Sequence, residues 1–222
     1  GWAAGMVRAM AAKGYISGRL NDRFEPKANI TRAEAVKILD NMIKAFYHKA
    51  GTYSVSTLGS VVINCTGVEL KNVAITGDLF ITENVGEGVV TLNDVTVGGN
   101  VYVMGGGTKS INLRGNTRLG RVYHEKTGDA AVKYSVPPPA AIDSLYVPRG
   151  TAPVEYEGAL KTMLLSCTNQ SIKLTNATVG TILADAPGIR LFTDANTNIN
   201  TGHINYDFQM LGDGIFSTVS LQ

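Results

Sequence analysis

The chain is poor in charge. Asp, Glu, Lys and Arg together make up 17% of its 222 residues, and the net charge is +2. So weak a field does not steer a protein to nucleic acid or to an anionic membrane. No basic patch interleaved with aromatics offers single-stranded nucleic acid a stacking platform. No apolar run approaches the ~20 residues needed to span a bilayer. Cysteine is scarce as well. Cys65 and Cys167 stand in neither a CxxC nor a Cys/His cluster, which argues against a zinc site. Both lie beside apolar strand residues, in "VINCTG" and "LLSCTN", and read as small buried hydrophobes, with a disulfide as the alternative. The opening residues do not read as a secretory leader. The chain opens inside a helical pattern, as a processed product or a cut piece would.

What the sequence does have is two regions of different period. Over residues 1–49 the apolar spacing is helical. Ala3, Met6, Val7, Met10 and Ala11 share one face, and Gly14 is a good C-terminal stop. A loop rich in turn residues follows. Then "NITRAEAVKIL" opens a second helix, expected to run on to near Gly51. Thr31 can accept from the N–H three residues on, and Glu34 can reach back, which makes a capping box. Arg32 in the first turn opposes the helix dipole, so something other than helix stability is expected to keep it there.

From residue 50 to 222 the period is two, and the pattern repeats. "VELKNVAITGDLFI", "VTLNDVTVGGNVYV" and "INLRGNTRLGRVYH" align with Leu70, Leu92 and Leu113 together. Gly77, Gly99 and Gly120 then coincide, as do Leu79, Val101 and Val122, at steps of 22 and 21 residues. "IKLTNATVGTIL" repeats the order, "IDSLYV" is a degenerate copy, and Gly202 and Ile204 fall 22 residues after Gly180 and Ile182. A fixed period with strand alternation in each copy predicts a mainly β fold, a parallel β-helix with coils of about 22 residues. A sandwich or propeller is the alternative, but the period is too short for a propeller blade and no tight hairpin turns punctuate it. Asn72, Asn93, Asn116 and Asn176 fall near one bend, where a side-chain ladder is expected. "SVPPPAA" (135–141) reads as a protruding loop between two stacks of the solenoid.

Catalytic signals are thin. Glu69, Asp78, Glu83, Glu87 and Asp94 read as a solvated face rather than a glycosidase pair or a metal shell. His48, His124 and His203 lack metal spacing, and His124 takes the place of Ile81 and Val103 in earlier coils, so it reads as a coil residue. No serine sits in G-x-S-x-G. "GGGTKS" (105–110) fails the phosphate-loop spacing and reads as a tight bend. The expectation is a protein that is not an enzyme and takes neither metal nor cofactor.

The N-terminal part resembles a surface-layer homology (SLH) repeat. The resemblance rests on Trp2-Ala3 opening the first helix, Gly14 with Ile16 and Gly18, Phe24-x-Pro26, and Ile30-Thr31-Arg32-Ala33-Glu34. The β region is similar to the β-helical parts that follow SLH repeats in some exported bacterial proteins. The resemblance implies attachment to a secondary cell-wall polysaccharide at the bacterial surface. It makes Arg32 the candidate for an anionic saccharide, its planar fork suiting a carboxylate. Trp2 could face a sugar ring or pack between the helices. Asn21 and Asp22 stand where the family often has Asp-Gly. The resulting expectation is a structural cell-envelope protein with a β-helical stalk or tile. The alternatives are a self-assembling surface-layer or filament subunit and a polysaccharide lyase-like enzyme. A single repeat has too small a core to stand alone, so a homo-oligomer or a longer polypeptide is expected, with no nucleic acid or membrane as partner.

Overall fold

A computed structural model describes residues 3–19, 23–148 and 150–221. Two helices, α1 (Ala4–Ala12) and α2 (Arg32–Met42), precede a parallel β-solenoid of about nine turns. The expected mainly β, parallel β-helical fold is what forms. Every strand ladder among the described residues is parallel, and together they make one 16-stranded sheet wound through the coils.

One coil illustrates why. Its first leg, residues 68–71, is followed by a bend at Asn72; a second leg runs over 73–75. A glycine-containing bend leads to the third leg, Leu79–Ile81. The next coil lies on it in register, Leu70 beside Leu92, Val73 beside Val95 and Leu79 beside Val101. Leu92 then pairs with Leu113 and Val101 with Val122, as the spacing predicts. These inward residues are buried and form one continuous apolar column.

At the first bend the backbone is left-handed. Asn72, Asp94, Gly115 and Asn176 hold φ of 55°, 55°, 58° and 48°, which short polar side chains and glycine tolerate. A Cβ on Gly115 would stand 2.4 Å from the Asp94 carboxylate. The expected asparagine ladder is therefore corrected. Asn93 and Asn116 flank the bend, and the tie between coils is the Asn116 N–H donating to Asp94 Oδ1 at 2.8 Å. Two buried threonines repeat a related lock. Thr117 Oγ1 accepts the Val95 N–H at 3.1 Å, and Thr197 Oγ1 accepts that of Ala177 at 3.4 Å.

Three further expectations are corrected. The second helix does not reach Gly51. It ends at Met42, and Ile43–Tyr47 is a strand, β1, paired with Ser60–Ile63. Alternation of Ile43, Ala45 and Tyr47, half-buried, with exposed Lys44 and Phe46 overrides the helical pattern. The period also shortens in later coils. Ile182 pairs with Gly202 and Ala184 with Ile204, a step of 20 rather than 22, because the loops between coils vary while the legs do not. Finally, Pro137–Ala140 is not a loop between two stacks. It is a tight bend inside one coil, closed by the Ala140 N–H donating to Pro137 O at 3.1 Å. Val132–Val136 before it and Ala141–Val147 after it both pair with Val154–Leu165. Cys65 and Cys167 are free, and Cys167 is buried with its thiol pushed up to about 11 by desolvation.

Candidate functional site

The helical segment is held by its ends. α1 closes with a Schellman motif: the Gly14 N–H donates to Ala11 O and the Tyr15 N–H to Met10 O, with Gly14 at φ +70°. At α2 the expected capping box forms. The Glu34 N–H donates to Thr31 Oγ1 at 3.2 Å, and the Thr31 N–H to Glu34 Oε2 at 2.8 Å. Glu34 has a second task that the sequence pattern does not signal. Arg19 grips its carboxylate bidentately, Nε to Oε1 and Nη2 to Oε2, both at 2.9 Å. Nη2 also donates to Asn29 O, and Nη1 meets Glu25 at 3.3 Å. The Arg19 contact first, and Thr31 second, hold the Glu34 carboxyl at about 2. The loop between the helices is thereby tied to the first turn of α2.

Under this tie lies a cavity of about 400 Å³, bordered by Met10, Tyr15, Phe24, Ile30, Glu34 and Ile38. Arg32 does not line it. It stands exposed on the other face of α2, beside Ala33, Val36 and Asp40, and forms no ion pair among the described residues. The i, i+4 spacing explains the division: Glu34, Ile38 and Asn41 face the cavity, while Arg32 and Val36 face outward. Of the other expected site residues, Trp2, Asn21 and Asp22 lie outside the described residues. No described residue of either helix is buried, and Met6, Val36 and Leu39 are largely exposed. This agrees with a repeat too thin to build its own core.

Two of the solenoid's acids, Asp78 and Asp94, act on backbone rather than on each other. Asp78 Oδ1 accepts the Asn100 N–H at 2.7 Å, just as Asp94 accepts that of Asn116 one coil later. At "GGGTKS" the Gly107 N–H donates to Ser110 Oγ at 2.6 Å inside a buried bend. His124 is fully buried, in register with Val103, where the repeat places it. Its Nε2 lies 2.8 Å from Ala152 O and so carries the proton. Nδ1 then accepts from the Tyr134 hydroxyl at 2.9 Å. Burial above all pushes its pKa down to about 4, and Lys126 nearby adds to the effect.

Comparison with known proteins bears on the helical segment. No curated protein and no solved structure matches the chain. Residues 1–36 match the S-layer homology domain family, SLH. The match takes in α1, the Arg19 loop and the capped start of α2, so the chain joins an S-layer homology domain match to a parallel β-solenoid of about nine turns.

Proposed function

We propose that the protein is a structural, non-catalytic component of the bacterial cell envelope, attached through its helical segment to an anionic secondary wall polysaccharide and carrying the solenoid as a stalk or tile. The S-layer homology match over residues 1–36 carries this reading. Arg32 supports it. A cation in the first turn of a helix gains nothing from the dipole, and among the described residues it meets no carboxylate, Glu34 being taken by Arg19. Among the described residues nothing engages its fork, which suits a carboxylate-bearing saccharide.

The test separates the two neighbours in the motif. Thr31→Ala should lower the stability of the helical segment by about 1 kcal/mol through the lost cap. Arg32→Ala should leave stability unchanged but weaken co-sedimentation with isolated cell walls by ~10-fold, the worth of one charge-assisted contact. Arg32→Lys, which keeps charge but loses the fork, should fall between. Walls stripped of their secondary polysaccharide should bind none of the proteins. Undiminished wall binding by Arg32→Ala would remove this residue from the proposal; undiminished binding to stripped walls would end it.

A further inference from the structure

The outward faces of the first and third legs differ in chemistry. On the first leg the outward column is polar until the last coils, running Glu69, Thr91, Asn112 and then Lys133, Glu155, Lys173 before it ends on Phe192 and Leu211. On the third leg it is apolar for eight successive rungs. Phe80, Tyr102, Tyr123 and Tyr146 form its centre, each ring stacked on the next with centroids 5.0, 5.2 and 4.8 Å apart and planes within 17°. Phe46 and Val62, the latter already buried between its neighbours, extend the column at one end, and Leu164 and Leu183 at the other. At ~4.8 Å per rung the ridge is ~34 Å long.

Two occupants of such a ridge can be told apart by geometry. A glycan packs its C–H faces on open ring faces. Here six of the eight ring faces are covered by a neighbouring ring, and the outer faces of Phe80 and Tyr146 lie toward the rungs of Val62 and Leu164. The ridge instead suits a surface of the same relief, and its flanks are self-complementary. Alternation places Arg121 and Glu125, both exposed, on either side of Tyr123. We infer that the third-leg ridge is the interface of a homodimer in which two solenoids lie side by side and parallel, related by a two-fold axis along the solenoid direction. That operation sets each rung against its own copy, so all eight apolar rungs are covered. It also sets the residue before each ring against the residue after it, so Arg121 of each copy meets Glu125 of the partner subunit, twice over. The same rule puts Asp78 opposite a threonine, Thr82, and Asp185 opposite Thr181, and no like charges oppose. A two-fold along the axis further leaves both helical segments at the same end. The patch is narrow, at the small end of stable interfaces, so the dimer should be reversible in the micromolar range.

Sedimentation equilibrium of the full chain, with melting checked for every variant, tests this. The wild type should pass from 23.6 kDa to twice that mass as concentration rises. Tyr102→Asp, an outward substitution, should fold and remain monomeric. Arg121→Glu and Glu125→Arg should each raise the dissociation constant ~10-fold or more by opposing like charges. Combining them should restore dimerisation, since the swapped pair is again complementary. A wild type that stays monomeric, or a dimer indifferent to Tyr102→Asp, overturns the proposal; failure of the double variant to recover overturns the parallel arrangement. A monomeric wild type whose wall binding is lost in Tyr102→Asp would reassign the ridge to glycan. Arg32→Ala should dimerise normally, which keeps this test apart from that of wall attachment.

Discussion

Val101→Asp should lower the stability of the solenoid by about 4 kcal/mol, enough to leave little of a marginal fold. Val101 is 1% exposed and sits in the apolar column between Leu79 of the coil before and Val122 of the coil after. A carboxylate there has apolar side chains along the column and no cation or spare N–H within the legs, whose backbone groups are already used by the parallel ladders. It must either ionise without a partner or take up a proton, and both states are costly in a dry column. The damage should not stay local. In a solenoid each coil is stabilised by its neighbours, so a weakened coil loosens the two stacked on it. Lys109→Ala is the control. Lys109 is exposed at the bend after "GGG", and the hydrogen bond it takes part in, from Asn112 Nδ2, uses its backbone oxygen. Its urea midpoint should match the wild type. Equal midpoints for the two variants would show that the inward column has been wrongly assigned.

The column itself was legible because the solenoid writes each inward position several times. Leu70, Leu92 and Leu113 are one structural site sampled in successive coils, and the alternation around them fixes the face. In the later coils that redundancy fails. The Gly180–Gly202 match is a coincidence of composition, and only the backbone register reveals that Gly202 belongs beside Ile182. The prolines misled for a related reason. Pro137–Pro139 look like a break, yet each coil needs a bend with few ladder hydrogen bonds, and that is where proline is tolerated. In the helical segment the capping box could be read because its partners are three residues apart. The Arg19–Glu34 clamp could not, since its partners stand 15 positions apart and no periodicity links them. The stacked ridge carries no comparable signal in the sequence, because its members stand one per coil, each between two inward residues as Phe80 is between Leu79 and Ile81.

His124 should make the protein acid-sensitive in a window set by its own titration. In the unfolded chain it titrates near 6.5; in the folded chain burial and Lys126 hold it at about 4, against the raising influence of the Ala152 carbonyl. Between those values the unfolded state binds the extra proton and the folded state does not, so stability is complete above about pH 6.5 and falls as pH drops toward 4. A shift of that size corresponds to about 3 kcal/mol lost across the window. Protonation would also turn Nδ1 into a donor facing the Tyr134 hydroxyl, which now donates to it. Glu34 does not confuse the measurement. Its carboxyl is depressed to about 2, so its contribution is lost only at lower pH, below the ordinary carboxylate value. The comparison is with His124→Val, which installs the residue that Val103 already provides one coil earlier. Ala152 O would keep the Gln170 Nε2 donor at 2.6 Å, but the Tyr134 hydroxyl, fully buried, would lose its acceptor at a cost of ~1–3 kcal/mol at neutral pH. Pairing the change with Tyr134→Phe removes both polar partners and should recover most of that loss. Urea unfolding at about pH 7 and about pH 4.5 then gives the answer. The wild type should lose stability between the two by an amount that the double variant does not. Equal losses would place the acid sensitivity elsewhere and show that His124 does not titrate in this range.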